Sequence, residues 1–322
     1  MAESNQRDAE GALALVTGGA GFLGSHLCDR LLDAGYRILC LDNFATGDRR
    51  NVAHLAGNAA FALVDHDITQ PFECDEAPAV VFHLASPASP KAYHRLPLET
   101  LEAGSSGTRN ALEIARRAGA RFLFTSTSEV YGNPDVTPQP ETYNGNVSTT
   151  GPRSVYDEAK RYGEALVMAY NRRYGLPTTI ARVFNTYGPR LRADDGRAIA
   201  NFVTQALAGQ PLTVYGDGSQ TRSFCYVSDQ VDGILALAAG VHTGPVNIGS
   251  PVAQPVLDVA RMVQRLTGTD APIAFSPLPQ DDPLQRCPDL SLARAVLDWN
   301  PHVSLEQGLA STIRWFQAAA AA

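Results

Sequence analysis

The sequence predicts an α/β fold in which a doubly wound parallel sheet carries a smaller, discontinuous C-terminal α/β domain. Two observations lead to this prediction. Short apolar runs alternate with amphipathic helical stretches over the first two-thirds of the chain, as in βαβ units. From Phe184 onward this rhythm breaks into shorter elements with more proline and glycine. We therefore expect one domain over 11–183 plus 222–250 and a second over 184–221 plus 251–318.

Apolar periodicity, together with glycine and proline breaks, predicts the individual elements. In chain order we expect a strand at 12–17, a helix at 21–34, strands at 36–42 and 79–85, a helix at 101–118, a strand at 121–126, a helix at 152–173, a strand at 178–183, a strand and helix within 224–239, and mostly helix at 257–268 and 292–316. The strand and helix within 224–239 could return to the main sheet.

Composition excludes several classes of partner. Of the 322 residues, 44% are hydrophobic and 18% are charged, as in ordinary globular proteins. The net charge of −7 disfavours nucleic acid and anionic membranes, and no apolar run approaches the roughly 18 residues of a membrane span. The five cysteines show no CxxC pair or metal-ligand spacing, so we expect no metal site and a reducing, cytoplasmic setting. A small molecule remains as the expected partner.

A glycine-rich turn predicts a dinucleotide site. Gly18, Gly21 and Gly24 follow the first strand and open a helix, where backbone and helix N-terminus can hold a pyrophosphate. Such a turn also occurs without a ligand, but Asp42 ends the second strand, where a carboxylate can accept both ribose hydroxyls. Since neither Asn43 nor Phe44 is a cation, the sequence favours NAD over NADP and a Rossmann-type domain.

A tyrosine and a lysine supply the expected chemistry. Tyr156 and Lys160 are spaced i, i+4 on a predicted helix and so lie on one face. A nearby ammonium and a nicotinium ring would favour the phenolate that a base requires. A solvated helix face is the alternative interpretation of this spacing alone. The hydroxyl-rich segment 125–129 lies at the end of a strand, where ligands bind to an open α/β sheet. Its presence argues against a chance occurrence of the Tyr156–Lys160 spacing.

These motifs and several others carry a family resemblance over almost the whole chain from residue 12. The stretches are VTGGAGFLGSHL from Val16, HLASPASP from His83, STSEVYG from Ser126, GPRSVYDEAKR from Gly151, ARVFNTYGPR from Ala181, DGR from Asp195, LTVYGDGSQTRSFCYVSD from Leu212 and PLPQDDPLQRCPDL from Pro277. The chain resembles the extended short-chain dehydrogenase/reductase family of nucleotide-sugar enzymes, and within it the UDP-glucuronate decarboxylases, which make UDP-xylose.

Two residues separate decarboxylation from sister activities within this resemblance. Related 4,6-dehydratases carry an Asp-Glu pair where this chain has Ser128 and Glu129. Arg286 falls where the family approaches the sugar carboxylate, and a guanidinium fork suits a carboxylate. A structural acid for Glu129 and an exposed charge for Arg286 remain as alternatives. The competing functions are a nucleotide-sugar 4,6-dehydratase or 4-epimerase and, in a different class, a non-catalytic NAD-binding regulator.

The resemblance also implies a mechanism. Tyr156 takes the proton of the sugar C4 hydroxyl while the hydride passes to NAD, with Thr127 bonded to the same oxygen and Lys160 holding the tyrosinate and the ribose. The resulting 4-ketone lies β to the carboxylate, so carbon dioxide can leave. The pentose forms when NAD is regenerated within the same site.

The resemblance further implies which residues bind each ligand. The cofactor set consists of Gly18, Gly21, Phe22, Leu23, Gly24, Asp42, Asn43, Phe44, Thr46, Gly47, Asp67, Ile68, Leu84, Ala85, Ser86, Tyr156 and Lys160. The nucleotide-sugar set consists of Ser128, Asn185, Asn201, Tyr215, Arg222 and Arg286, with Lys91 and Tyr93 near the sugar. For Asp67 an acid that caps the next element is the alternative, and for Asn185 a residue that completes a strand end.

Two further expectations concern helices. Gly104 departs from the family, many of whose members carry an asparagine there, so a cofactor contact at that position is in doubt. The family commonly forms homodimers through a four-helix bundle, which here would use the helices at 101–118 and 152–173.

Overall fold

The computed structural model describes residues 10–279 and 282–321, so Gln280 and Asp281 of the last family motif lie outside the described residues. The strands are β1 Leu13–Thr17, β2 Arg37–Asp42, β3 Phe61–Asp65, β4 Val80–His83, β5 Arg121–Thr127, β6 Thr178–Val183, β7 Thr186–Tyr187, β8 Leu212–Tyr215, β9 Thr221–Ser223, β10 Cys225–Tyr226, β11 Pro245–Ile248, β12 Ala253–Pro255, β13 Ile273–Ser276 and β14 Gln285–Arg286.

Helices cover both faces of the main sheet and build the second part of the molecule. The α-helices are α1 Phe22–Asp33, α2 Pro90–Arg95, α3 Pro97–Glu102, α4 Thr108–Ala118, α5 Ser154–Tyr174, α6 Ala198–Leu207, α7 Val227–Ala239, α8 Val256–Thr267, α9 Ser291–Leu297 and α10 Leu305–Ala321. Short 3-10 helices span Arg49–Leu55 and Ser128–Tyr131, and a π-helical turn spans Ala103–Gly107.

A seven-stranded parallel sheet in the order β11-β6-β5-β4-β1-β2-β3 confirms the predicted doubly wound fold. The chain proceeds from β1 to one edge of the sheet through β2 and β3, and then from β4 to the other edge. The strand order therefore reverses between β1 and β4. A crevice opens at such a point beyond the carboxyl ends of the strands, and this is where open α/β sheets bind ligands.

The predicted return of 224–239 to this sheet is confirmed for the helix and wrong for the strand. Val231 and Ile234 of α7 pack in the core of the main sheet, but β10 pairs with β7 in a separate two-stranded sheet. The seventh strand is β11, which follows α7 and pairs with β6. Its four residues between Gly244 and Gly249 are too short an apolar run to be recognised from periodicity alone.

Two predicted helices are interrupted. The π-helical turn divides 101–118 at Gly104, where an added Cβ would lie 2.6 Å from the Cβ of Ala159 on α5. This close approach of two helices explains why a glycine occupies the position. The segment 292–316 divides into α9 and α10 because Asp298 adopts a left-handed conformation, with φ of 51°, and ends α9.

The second part of the chain packs directly against the first. Its own apolar core joins α6, α8 and α10 to β8 and includes Phe202, Val259 and Leu309. Leu290 and Trp299, however, lie in the core formed with the main sheet. The two parts therefore share an apolar core.

Candidate active site

A cleft of about 890 Å³ lies beyond the carboxyl ends of the parallel strands. It is lined by every residue predicted above to bind cofactor or substrate except Phe44 and Tyr93. The Phe44 ring packs against the apolar core of the main sheet and lies 3.8 Å from the guanidinium carbon of Arg49. Only its backbone N–H reaches the site, where it donates to Asp42 over 2.8 Å.

The dinucleotide end of the cleft has the space and the polar groups that NAD requires. Gly18 has φ of 71°, and a Cβ there would lie 2.8 Å from the backbone of Ala85. A Cβ on Gly24 would lie 2.2 Å from the Gly18 carbonyl oxygen. Side chains at these positions would therefore disrupt the turn that brings backbone and helix N-terminus toward a pyrophosphate.

Asp42 stands at the far side of this turn. Its carboxylate accepts hydrogen bonds from the backbone N–H groups of Ala20 at 2.9 Å and Phe44 at 2.8 Å. Burial raises the pKa of the carboxyl group, and these two hydrogen bonds oppose the shift. Next to it, Asn43 donates to Asp67 over 3.0 Å. The arrangement fits a ribose whose hydroxyls would donate to Asp42.

Tyr156 and Lys160 lie side by side at the centre of the cleft, as the helical spacing predicts. The Tyr156 ring stacks in parallel on Tyr93, with centroids 5.3 Å apart and an interplanar angle of 6°. Tyr93 is thus a packing partner of Tyr156 rather than part of the cleft wall. The Lys160 ammonium donates to the Thr125 carbonyl at 2.8 Å and lies 5.8 Å from the Tyr156 ring centroid.

Burial dominates the electrostatics of this pair. It raises the pKa of Tyr156 well above its ordinary value, and the Glu129 charge adds to the effect, while a hydrogen bond from Thr127 and the Arg197 charge oppose it. Burial also lowers the pKa of Lys160 to about 7 against the attraction of Glu164. Without NAD, the expected stabilisation of a phenolate is therefore outweighed, and Tyr156 keeps its proton.

Glu129 and Arg286, which are 157 residues apart in the chain, form a close ion pair. The Arg286 Nη1 atom lies 2.6 Å from Glu129 Oε1 and its Nη2 atom lies 2.9 Å from Oε2. Arg153 pairs with the same carboxylate. Burial would raise the pKa of Glu129, but Arg286 and Arg153 hold it at about 2. The arginine assigned to a substrate carboxylate thus holds an internal carboxylate here.

The other predicted substrate residues lie around this pair. The Asn185 side chain donates to the Ser223 carbonyl at 3.4 Å, and its Oδ1 lies 3.5 Å from Arg286 Nη1. Ser128 is buried beside Glu129. At the other end of the cleft, Asn201 donates to the Gly196 carbonyl at 3.0 Å and Tyr215 is 40% exposed.

Three functional candidates escaped the sequence-based prediction. Arg153 and Asp282 line the cleft, and Asp282 pairs with Arg222 at 2.8 Å. Gln139 lies behind the cleft and contacts the segment that carries Arg286. Only Arg153 had a local signal, because a cation three residues before Tyr156 lies on the same side of the helix start. The contacts of Asp282 and Gln139 depend on chain folding.

Comparison with known proteins agrees with this geometry. Residues 14–249 match the model of the NAD dependent epimerase/dehydratase family. The chain belongs to this family. Among curated relatives of this family member, UDP-glucuronic acid decarboxylase 1 of Xenopus tropicalis is 48% identical over 305 residues, which are 94% of this chain and 72% of the relative. UDP-glucuronic acid decarboxylase 2 of Arabidopsis thaliana is 49% identical over 310 residues, 96% of this chain and 69% of the relative.

Solved structures of similar proteins share the whole fold. An epimerase from Methanothermobacter thermautotrophicus is similar with a TM-score of 0.90 and 30% identity, covering 99% of this chain and 96% of its own. Within 10–279 and 282–321, no helix is long and apolar enough to cross a membrane. In the same ranges, no cluster of three or more His, Cys, Asp or Glu side chains could hold a metal ion.

Proposed function

We propose that this protein is a carboxy-lyase that converts UDP-glucuronate to UDP-xylose and carbon dioxide and recycles NAD within its site. The observation that carries the proposal is the buried Arg286 guanidinium, which faces the cleft lined by Tyr156 and Lys160. A cation in this place suits a sugar acid better than a neutral sugar. The relatives named UDP-glucuronic acid decarboxylases, about half identical to this chain, support the same substrate.

The glycine turn and Asp42 would hold NAD, since both leave the space and the acceptor that the dinucleotide requires. When bound, NAD supplies the oxidation of the sugar C4 to a ketone and its later reduction. The positive charge of the oxidised ring also favours the ionised form of Tyr156, which burial alone disfavours.

Tyr156 would accept the proton of the C4 hydroxyl at its phenolic oxygen, with Lys160 one helical turn away as the compensating cation. Thr127, which contacts the Tyr156 hydroxyl, would bond the same substrate oxygen. The C4 ketone lies β to the C6 carboxylate, so the electrons of the C5–C6 bond pass toward the C4 oxygen as carbon dioxide leaves. Tyr156 and Thr127 would then donate to the enolate oxygen until a proton reaches C5.

Incubation with UDP-glucuronate tests this function. We expect equimolar carbon dioxide and UDP-pentose with no net change in NAD, measured by trapped carbon dioxide and chromatography. Tyr156→Phe is the matched variant and should lose at least about 100-fold in kcat, because it lacks the proton acceptor. A C4 epimer without carbon dioxide, or a 4-keto-6-deoxy sugar from a neutral nucleotide sugar, would contradict the decarboxylase and indicate an epimerase or a dehydratase.

We further propose a cytoplasmic homodimer. Five free cysteines fit a reducing compartment. Exposed apolar side chains within the predicted bundle helices 101–118 and 152–173, Leu101 and Tyr162, fit a four-helix interface. We also propose two domains, one over 11–183 plus 222–250 and the other over 184–221 plus 251–318. Leu290 and Trp299 of the second domain pack in the core of the main sheet.

A further inference from the structure

Glu129 is shared by two guanidinium groups that reach it from different parts of the chain. Arg286 lies on β14, whereas Arg153 directly precedes α5, three residues before Tyr156. Both arginines pair with the same carboxylate, and Arg286 alone already contacts both of its oxygens. The exposed fractions of the side chains are 14% for Glu129, 12% for Arg153 and 5% for Arg286. One cation would neutralise Glu129, so the second needs an explanation.

The charges around Glu129 leave room for another anion. Arg153 also lies 3.7 Å from Asp282, which pairs with Arg222. Three guanidinium groups thus pair with two carboxylates. This leaves one positive charge in excess when the nearby Asp157 carboxyl group is protonated, and burial together with Glu129 raises the pKa of that group to about 7. In addition, the buried Nε of Arg286 has no hydrogen-bond partner in the structure. Arg286 therefore has an unused donor and could serve a second carboxylate, provided that Glu129 keeps a partner.

We propose that Arg153 is a positioning residue that holds Glu129 in place when Arg286 turns to the carboxylate of the substrate. The inference rests on the proposed function, because only a substrate with a carboxylate would compete with Glu129 for Arg286. Arg153 pairs with Oε2 of Glu129, which leaves Oε1 to be given up when Arg286 moves.

The location of Arg153 couples Glu129 to the reacting tyrosine. The backbone carbonyl of Arg153 accepts the N–H groups of Tyr156 at 3.1 Å and Asp157 at 3.2 Å, so this arginine belongs to the same first turn as Tyr156. Without Arg153, Glu129 would stand unpaired beside a substrate carboxylate. Two like charges in a buried site raise the pKa of one of them, and Glu129 would take up a proton.

Several other groups face Glu129 and set the background against which Arg153 acts. They are Tyr93 of α2, Tyr156 and Asp157 of α5, Arg197 before α6 and Arg222 of β9. In their ionised forms, Asp157 and the two tyrosines would disfavour the negative charge of Glu129. In their neutral forms they do not affect it. Arg197 and Arg222 do not bond Glu129, so they do not replace the contact that Arg153 makes.

The test uses Arg153→Met and Arg153→Lys in the full chain, with Arg265→Met as a control from an exposed ion pair on α8. The measurements are kcat and KM for UDP-glucuronate from pH 5 to 9, and Kd for UDP, which lacks the sugar carboxylate. For Arg153→Met we expect kcat at pH 7 to fall at least about 10-fold. The acid limb of the kcat–pH profile, where kcat falls at low pH, should move to higher pH. The reason is that Glu129 loses one of the two cations that hold its pKa low.

The remaining variants and UDP complete the comparison. Arg153→Lys should regain part of kcat and return the acid limb toward its wild-type position. The Kd for UDP should stay within about 3-fold of wild type in the Arg153 variants. The control Arg265→Met should behave as wild type in all measurements. An unchanged acid limb, or a raised KM with kcat unchanged, would overturn the proposal, because Arg153 would then be structural or would bind the substrate itself. If wild-type protein releases no carbon dioxide, the proposed function fails, and this result is distinct from a failure of Arg153 alone.

Discussion

At the scale of single residues, the site is governed by the cost of burying charge. Lys160 is buried, and its ammonium bonds only a neutral carbonyl, so its pKa falls to about 7. His83, held between Thr17 and Thr108, has its pKa lowered to about 3 by burial and by Lys160. Burial therefore weakens the positive charge that Lys160 offers to Tyr156 in the free site, while the Arg197 charge still favours the phenolate.

Lys160→Met gives a prediction about stability and pH. The ordinary pKa of a lysine is about 10.4, so between about pH 7 and pH 10 the unfolded chain binds a proton at Lys160 that the folded protein lacks. Wild-type stability should therefore rise with pH across this window relative to the variant, by up to about 4 kcal/mol. Urea unfolding at pH 7 and pH 10 measures the difference. Parallel pH dependence of the two proteins would show that Lys160 is charged when folded.

At the scale of elements, Gln139 anchors the segment that carries Arg286. Its backbone N–H donates to the Cys287 carbonyl at 2.8 Å, and its carbonyl accepts the Asp289 N–H at 3.0 Å. The side-chain oxygen of Gln139 accepts the Cys287 N–H at 2.8 Å, and Asn247 on β11 donates to the Gln139 carbonyl at 2.9 Å. These hydrogen bonds thus connect the segment that carries Arg286 to β11 of the main sheet.

Gln139→Leu should weaken this anchor. The buried N–H of Cys287 would lose its acceptor, at a cost of about 1–3 kcal/mol in the free energy of unfolding. Because Arg286 is the next residue, we also expect a higher KM or a lower kcat with UDP-glucuronate. Gln264→Leu is the control, since the Gln264 side-chain amide donates to the Ala271 carbonyl at 2.7 Å away from the cleft. Equal kinetic effects in both variants would argue against a link to Arg286.

At the scale of the whole molecule, the site exists because two parts of the chain close on one edge of a sheet. Glu129 follows β5 of the sheet, and Arg286 arrives on β14 from a different, three-stranded sheet. Any relative movement of these parts would separate the pair. The proposed dimer segments, 101–118 and 152–173, also adjoin the cleft, since Glu102 of the first and Tyr156 of the second line it.

Leu101→Glu tests the proposed homodimer. The Leu101 side chain is 38% exposed in the single chain and does not line the cleft, so a charge there costs the monomer little. Buried in a helical interface, the same charge would have no partner and would weaken association. We expect sedimentation to show a dimer for wild type and a shift toward monomer for the variant. A wild-type monomer at micromolar concentration would contradict the dimer.

The dinucleotide end and the Tyr156–Lys160 pair could be derived from the sequence because their geometry is local. A strand, a glycine turn and a helix place Gly18 and Asp42 within a short stretch of chain, and helical periodicity alone puts Tyr156 beside Lys160. Phe44 shows the limit even there, because its ring packs against the core and Arg49 although its neighbours line the cleft.

Only the tertiary structure decided which charges meet. The sequence by itself determined that a nucleotide-sugar enzyme with Glu129 and Arg286 was expected, but not that these two residues pair or that Arg153 joins them. It also could not show that β11 rather than β10 completes the sheet. Contacts between residues more than a hundred positions apart depend on how the elements pack and on whether ion pairing offsets the cost of burying charge. The spacing of residues along the chain determines neither.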